Sequence, residues 1–268
     1  MSLRVTILGC GSSGGVPRVG GDWGACDPSN PKNQRRRCAI MVERQTDAGL
    51  TSVLVDTGPD LREQLLSHGT KALDAVLITH SHADHVHGID DLRPLVISMH
   101  RRIDMHMDDF TAKLLRHRFG YIFEMPPGSQ YPPLVHDRRL VAGVSATLTG
   151  AGGEIEAMPF RVEHGDIDAL GFRFATPRGG VAYTPDVNDV PSESLCHLEG
   201  LDLWIIDALR YTRHPSHFSL SEALAWIERM KPRRAVLTNL HSALDYATLK
   251  AQVPENVDVA FDGMVLEA

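Results

Sequence analysis

Short apolar segments rich in β-branched residues recur along the chain, and this recurrence limits the folds that the chain can adopt. Most of the segments end at Gly, Asp, His or Pro, as strands that lead into functional loops often do. The segments read RVTILG, AIMVE, TSVLVDTG, AVLITH, FRVEHG, GFRFAT, GVAYTPD, LWIIDAL, AVLTNLH and VDVAFDG. Helical patterns lie between some of them, so the sequence predicts the α/β class.

Three stretches between the predicted strands have the pattern of helices. The first has apolar residues at Leu61 and Leu65 and stops at Gly69. In another, Ser219 is followed three residues later by Glu222, which is the pairing of a capping box and predicts the start of a helix. Residues 108–123 form the third stretch.

The composition is uniform along the chain, and we predict that residues 1–268 form a single domain. With 268 residues, 43% of them hydrophobic, the chain is long enough for one large domain with a core. A formal net charge of −7 gives no basic field of the kind that binds nucleic acid. No apolar stretch approaches the ~18 residues of a membrane span. Since no signal peptide is recognised either, we expect a cytoplasmic protein without a membrane partner.

The segment LITHSHADHVHG, residues 77–88, places several histidines and an aspartate directly after a buried strand. His80 and His82 lie two residues apart, so both imidazoles point to the same side if the backbone is extended. Asp84 and His85 are adjacent and project differently, which lets them face a second centre. Imidazole and carboxylate without thiolate suit zinc, manganese or iron. The alternative, a polar loop whose histidines only cap strands, is disfavoured by the density of the pattern.

One loop cannot complete two coordination spheres, so other strand ends should supply further ligands. His164 comes near the end of FRVEHG, Asp186 ends VAYTPD, and His241 ends AVLTNLH. A carboxylate at Asp186 would be able to bridge both metals. Each of these residues is ambiguous alone, but together with the loop they form a consistent ligand set.

This set and its order resemble the metallo-β-lactamase superfamily. Within the superfamily the chain is similar to the PhnP-like phosphodiesterases, which hydrolyse cyclic phosphates of ribose and related phosphodiesters. The supporting stretches are the glycine-rich turn 9–17, RRRCAIMV at 35–42, FDGM at 261–264 and the segment HPSHFSLSEAL. The resemblance implies a four-layer αβ/βα sandwich, with two mixed sheets face to face, helices outside and the metals at one edge.

The resemblance also implies roles for the ligands around two divalent metal ions, Zn²⁺ or Mn²⁺. The first ion would be held by His80, His82 and His164, the second by Asp84, His85 and a last histidine, with Asp186 bridging. Relatives carry that last histidine directly after Leu-Thr, where this chain has Asn239. His241 follows two residues later and would face the same side along an extended strand. The sequence leaves open whether Asn239 or His241 completes the second site.

The resemblance further points to a general acid. His217 matches the position at which phosphodiesterase relatives place a histidine acid, with His214 as its nearest rival, and the imidazole pKa suits proton transfer. Asp84 is expected to be essential to catalysis as well. The turn at 9–17 either supports a phosphate or is a plain tight turn. Asp56, Asp60 and Asp262 are candidate hydrogen-bond partners for the ligand imidazoles.

These features lead to the expectation of a dinuclear metal-dependent phosphodiesterase. It would cleave a small cyclic phosphate or a nucleotide phosphodiester by attack of a metal-bridged hydroxide. One alternative is a tRNA 3′-processing-type nuclease, which a lack of long basic insertions disfavours. Another is a non-catalytic metal or nucleotide sensor on the same fold. The expected partner is a small phosphodiester or nucleotide rather than a large nucleic acid, and a homodimer is possible.

Overall fold

Two seven-stranded sheets lie face to face in the computed structural model, which describes residues 2–268. The first sheet has the order β14-β1-β2-β3-β4-β5-β6. Its strands are β1 (Arg4–Gly9), β2 (Ala39–Thr46), β3 (Gly49–Val55), β4 (Ala75–Leu77), β5 (Ile103–Met107), β6 (Val135–Arg139) and β14 (Val265–Glu267). The second sheet has the order β13-β12-β11-β10-β9-β8-β7. Its strands are β7 (Ala146–Gly150), β8 (Gly153–His164), β9 (Ile167–Phe174), β10 (Val181–Thr184), β11 (Leu203–Asp207), β12 (Arg234–Thr238) and β13 (Val257–Val259).

Both sheets are mixed. Strands β3 to β6 run parallel, while β1, β2, β3 and β14 pair antiparallel. In the second sheet β10 to β13 run parallel, and β7 to β10 pair antiparallel. In sheets with parallel strands, ligands bind beyond the carboxyl ends of those strands, which predicts the edge at which the functional residues should meet.

Helices cover the outer face of each sheet. The α-helices are α1 (Leu61–His68), α2 (Ala83–Val86), α3 (Arg93–Met99), α4 (Asp109–Phe119), α5 (Leu220–Met230) and α6 (Tyr246–Lys250). Short 3₁₀ turns occupy Pro31–Asn33, Ile89–Leu92, Gly120–Ile122 and Ser192–Leu198. All three helices predicted from the sequence are present, as α1, α4 and α5. In the described part of the chain, no helix combines the length and the apolar character needed to cross a membrane.

The sequence signals at the helix ends act as expected. Gly69 ends α1 with a left-handed φ of 77°, a conformation that glycine adopts without steric cost. Ser219 and Glu222 form the complete capping box of α5, each satisfying a backbone N–H of the other. Asp108 caps α4 by accepting a hydrogen bond from Thr111 N. These caps fix where α1 ends and where α4 and α5 begin.

The central strands are buried on both faces, which explains their continuous apolar sequences. In β2, Ile40 and Val42 enter the core between the sheets, while Ala39 and Met41 pack under the helices of the first half. Strand β11 alternates in the same way between the inter-sheet core and the helices of the second half. The resulting helix–sheet–sheet–helix layering confirms the predicted four-layer αβ/βα sandwich. That the whole chain forms a single domain stays a prediction.

Candidate metal centre

Six of the predicted ligands come together where strands of both sheets end, at one edge of the molecule. They are His80, His82, Asp84, His85, His164 and Asp186. The loop after β4 supplies the first four, because α2 begins directly after His82 and turns Asp84 and His85 inward. His164 is the last residue of β8, and Asp186 follows β10, so the second sheet supplies the other two. The centre therefore spans both sheets.

The first group of donors surrounds one point with three imidazoles and a carboxylate. His82 Nδ1 lies 3.0 Å from His80 Nε2 and 3.1 Å from His164 Nε2. Asp186 Oδ2 lies 3.8 Å from His80 Nε2 and 3.5 Å from His164 Nε2. Donors that bind one Zn²⁺ tetrahedrally at ~2.0–2.2 Å are separated from one another by distances of this size.

The second group shares Asp186 with the first. His85 Nε2 lies 3.2 Å from Asp186 Oδ1 and 3.5 Å from Asp84 Oδ2. The two oxygens of Asp186 thus face different groups, as a bridging carboxylate requires. His85 and Asp186 are almost fully buried, while Asp84 is partly exposed toward a cleft.

Neighbouring groups hold the ligand imidazoles in place. His85 Nδ1 donates to Asp56 Oδ2 at 2.7 Å, and Asp56 also accepts from Thr79 N at 2.8 Å. His164 Nδ1 donates to the Ser216 carbonyl at 2.7 Å. Each of these bonds places the ring proton on Nδ1 and leaves the Nε2 lone pair directed at the centre.

The centre is suited to divalent cations by its electrostatics as well as by its geometry. Burial lowers the pKa of His80 well below its ordinary value, and His85 lowers it further. Burial alone would raise the pKa of Asp186, but His85 and the other imidazoles hold it well below its usual range. Burial works against protonation of His85, but Asp186 and the other carboxylates raise its pKa well above the ordinary value, so this imidazole would release a proton when a metal binds.

His217, the predicted general acid, lies beside this centre. Its ring centroid is 4.7 Å from that of His164, and its Nδ1 donates to Asp207 Oδ2 at 2.8 Å. Burial works against protonation of His217, but the neighbouring carboxylates, Asp207 above all, raise its pKa to about 9. His214 lies farther out, 5.1 Å from His217 between ring centroids, and its Nδ1 accepts from Ser216 N.

A cleft of about 250 Å³ opens in front of His217 and Asp84. Its other walls are Ser12, Ser13, Arg18, Leu209, Arg210, His214 and His241. The glycine-rich turn at 9–17 therefore borders the site through its two serines. Arg210 donates to the carbonyls of Thr212 and Arg213 and makes no ion pair with any described residue.

His241 does not lie with the other predicted ligands, which corrects its assignment to the second metal. The assignment assumed an extended backbone, but β12 ends at Thr238 and Asn239 has a left-handed φ of 59°. The side chain of His241 consequently faces the cleft. Its Nδ1 accepts from Ala243 N at 3.0 Å and its Nε2 contacts the Arg18 guanidinium. Asn239 instead reaches the centre, with Nδ2 3.3 Å from Asp186 Oδ1.

Other sequence expectations have mixed outcomes. Asp56 supports a ligand imidazole as expected, but Asp60 pairs with Arg37, and Asp262 accepts from the amides of Cys10 and Arg36. Sequence reasoning missed Asp207, although its place at the end of LWIID is the same signal that identified other site residues. It also missed the roles of Arg18 and Arg210, for which no local pattern exists.

Comparison with known proteins places this geometry in a family. The profile of the beta-lactamase superfamily domain matches residues 51–239, which carry all six clustered donors. The chain belongs to the metallo-β-lactamase superfamily. Among solved structures of this superfamily, one described as a new diphosphatase from the PhnP family superposes with a TM-score of 0.87. The two sequences are 35% identical, and the superposed region includes 100% of this chain and 98% of the diphosphatase chain. This similarity confirms the PhnP-like resemblance.

Curated relatives have different names and are longer. An octanoyltransferase of Porphyromonas gingivalis is 32% identical over 98% of this chain but only 51% of its own length. A ribonuclease Z of a Bradyrhizobium strain is 29% identical over 56% of this chain and 47% of its own. The chain spans about half the length of these two relatives. The fold and the clustered donors thus support a centre suited to divalent metal ions.

Proposed function

We propose that the chain is a metal-dependent phosphodiesterase that cleaves a small cyclic phosphate or nucleotide phosphodiester. The observation that carries this proposal is the Asp207–His217 pair, which faces the same cleft as the clustered metal donors. Phosphodiester hydrolysis needs a proton for the leaving oxygen, and a histidine held beside the donor set is suited to supply it.

The donors divide the metal-binding task between two positions. His80, His82 and His164 would hold one cation, Asp84 and His85 the other, and Asp186 both. Divalent cations bound there would supply a water nucleophile at neutral pH and offset the charge that develops on the phosphoryl oxygens.

His217 is the residue that would deliver the proton. Because Nδ1 donates to Asp207, the ring is held with Nε2 free to carry a proton to the leaving oxygen. The raised pKa of about 9 keeps the imidazole protonated at neutral pH. Asp207 is fully buried and acts as a positioning residue, since it touches His217 rather than the substrate.

The cleft favours a small anionic substrate. Two arginines, Arg18 and Arg210, line it together with Asp84, and Arg side chains are common partners of phosphate groups. Its volume of about 250 Å³ is below the range of pockets that enclose drug-sized ligands, roughly 300–1,000 Å³. A mononucleotide fits this description better than a folded RNA.

The proposal is tested with bis(p-nitrophenyl) phosphate and protein reconstituted with Zn²⁺ or Mn²⁺. We expect turnover by the wild type and its loss in Asp84→Asn, because the substitution removes a charged donor of the second position. The matched control is Asp47→Asn, which changes an exposed aspartate in the β2–β3 turn and should retain full activity.

Failure to hydrolyse this ester with any divalent metal would contradict the proposal. Metal binding without turnover would instead favour a non-catalytic sensor. The similarity to ribonuclease Z makes precursor tRNA a necessary second substrate in the same series. Submicromolar tRNA affinity in a gel shift, with 3′ cleavage, would favour a nuclease.

A further inference from the structure

A second cavity opens on the outer face of the first sheet, between β1, β2, β3 and the end of α1. Its volume of about 710 Å³ lies within the roughly 300–1,000 Å³ of pockets that hold small molecules. None of its lining residues belongs to the clustered metal donors or to the cleft beside His217. The proposed function therefore assigns no role to this cavity.

The cavity exists because α1 is shorter than the strands beneath it. The eight residues of α1 extend about 12 Å, whereas the eight residues of β2 extend about 26 Å. Met41 of β2 packs under the helices, while Glu43, two residues later on the same face, lines the cavity. Arg4 of β1 and Ser52 of β3 are the cross-strand neighbours of Glu43 and line it as well. The floor of the cavity is therefore polar.

Both carboxylates in the lining already have partners. Glu43 pairs with Arg4 at 2.7 Å and accepts from Ser52 Oγ at 3.3 Å. Asp74 pairs with Arg101 at 2.8 Å and accepts from Ser52 N at 2.9 Å. These contacts leave no acidic side chain of the lining free to attract a cationic ligand.

Two cations of the lining, in contrast, form no ion pair with residues 2–268. Arg36 donates to the uncharged Ser67 Oγ at 3.0 Å, and Lys71 has neither an ion pair nor a side-chain hydrogen bond. Asp262 accepts from the backbone N–H of Arg36, but its side chain does not line the cavity. Two unpaired positive charges in one cavity of a chain with a net charge of −7 predict an anionic ligand.

Gln64 adds a hydrogen-bond acceptor that lacks a donor. Its Nε2 donates to the Arg37 carbonyl at 2.8 Å, which fixes the orientation of the amide, because the opposite orientation would bring two oxygens together. Its Oε1 is buried and has no hydrogen-bond partner in the described chain. A buried carbonyl oxygen without a donor is costly. A ligand with a hydroxyl or N–H group would supply the missing donor.

We propose that this cavity binds a phosphate monoester that carries hydroxyl or N–H donors, as nucleoside monophosphates and sugar phosphates do. A phosphate monoester has a charge close to −2 at neutral pH, which matches the two unpaired cations Arg36 and Lys71. The donors of the sugar or base match Gln64 Oε1. The exposed apolar side chains of Leu50 and Val265 border the cavity and provide contact area for the rest of the ligand.

The experiment is calorimetric titration of the full chain, reconstituted with Zn²⁺, with inorganic phosphate, ribose 5-phosphate and adenosine monophosphate. At least one ester should bind more tightly than inorganic phosphate, because only the esters carry the additional donors. Arg36→Ala and Lys71→Ala should each weaken binding of that ester by about 10-fold, as the loss of a charged partner does. The matched control, Lys113→Ala, changes an exposed lysine of α4 and should leave the affinity unchanged.

Gln64→Met tests the acceptor, since methionine has a similar shape and cannot accept from the ligand in the same way. It should weaken binding of the ester by about 3–10-fold and leave that of inorganic phosphate unchanged. The control Gln252→Met changes an exposed glutamine after α6 and should have no effect. If Gln64→Met fails to fold, Arg36→Ala and Lys71→Ala still decide the matter.

The cleft beside His217 is the other place where a phosphate could bind, and Arg210→Ala separates the two. Binding at the cavity should be unchanged by this variant, which removes a cation of the cleft. Binding that Arg210→Ala abolishes and Arg36→Ala preserves would overturn the inference, as would no binding of any probe at millimolar concentration or equal affinity for all three. Because the readout is binding, a protein that binds an ester at the cavity but cleaves no phosphodiester would contradict only the proposed function.

Discussion

Asp207 determines how His217 can act in the cleft. It lies at the end of β11 with 0% exposure, and one carboxylate oxygen accepts from both His217 Nδ1 and Val187 N. Since that oxygen is held by the backbone, the imidazole it binds is held as well. Under the proposed function, a firmly positioned His217 accelerates hydrolysis only when the leaving oxygen needs a proton.

This requirement gives a prediction about leaving groups. His217→Ala should lower kcat for a 2′,3′-cyclic nucleotide by about 10²–10⁴-fold, the usual contribution of a general acid. The loss should be much smaller for bis(p-nitrophenyl) phosphate, because nitrophenolate leaves without protonation. Steady-state kinetics on both substrates measure the contrast, with His136→Ala on the exposed edge of β6 as the control. Equal losses on both substrates would assign His217 a structural role.

At the scale of elements, sequence patterns predict strands and helices well and predict local backbone turns poorly. Apolar strands that are buried on both faces and a capping box at Ser219 are strong local signals, and the structure contains all of them. The four-residue α2 is too short to leave a periodic pattern, although it directs Asp84 and His85 inward. The left-handed turn at Asn239 has no sequence signature either, so the alternation rule failed for His241.

Helix α6 offers a prediction of stability. Asp245 caps this helix by accepting from Thr248 N at 2.9 Å, and it also accepts from Asn33 Nδ2 at 2.7 Å. Burial opposes ionisation of Asp245, but these hydrogen bonds lower its pKa to about 2. The folded pKa is thus below the unfolded value of about 3.9. The stabilisation is therefore complete above pH ~4 and is lost as the pH falls toward 2.

Two variants separate the cap from the charge. Asp245→Ala should lower the free energy of unfolding at pH 7 by about 1–2 kcal/mol, as the loss of a helix cap usually does. Asp245→Asn keeps a capping oxygen but no ionisation, so its stability should fall less than that of the wild type between pH 4 and pH 2. Denaturant titrations at both pH values measure this, with Asp47→Ala in an exposed turn as the control. Identical acid sensitivity in the wild type and Asp245→Asn would contradict the assignment.

At the scale of the whole molecule, the centre joins the two sheets. Four donors follow β4 of the first sheet, one ends β8 of the second sheet, and one follows β10. The order of these residues along the chain, through its resemblance to the metallo-β-lactamase superfamily, was sufficient to predict that they converge at one edge. The distances between the sheets were not predictable, since they depend on how both cores pack.

Metal removal should therefore destabilise the entire fold. An ion at 100 times its Kd stabilises the native state by about 2.7 kcal/mol. For a chain of this size, this corresponds to a drop in Tm of roughly 5–10 °C on chelation. Differential scanning calorimetry before and after treatment with EDTA measures the drop, and addition of metal should restore the original Tm. A Tm that does not respond to the chelator would show that the centre does not connect the sheets energetically.

The carbonyl of Ser216 orients His164, and the next residue along the chain is His217. One short stretch of backbone thus positions both the proposed metal ligand and the proposed proton donor. If this stretch shifted to make room for a bulky alcohol, it would release the imidazole across from it. Under the proposed function, a wider substrate range on this side of the cleft would therefore weaken metal binding. We expect substitutions that admit larger substrates to be tolerated better on the Arg18 side of the cleft.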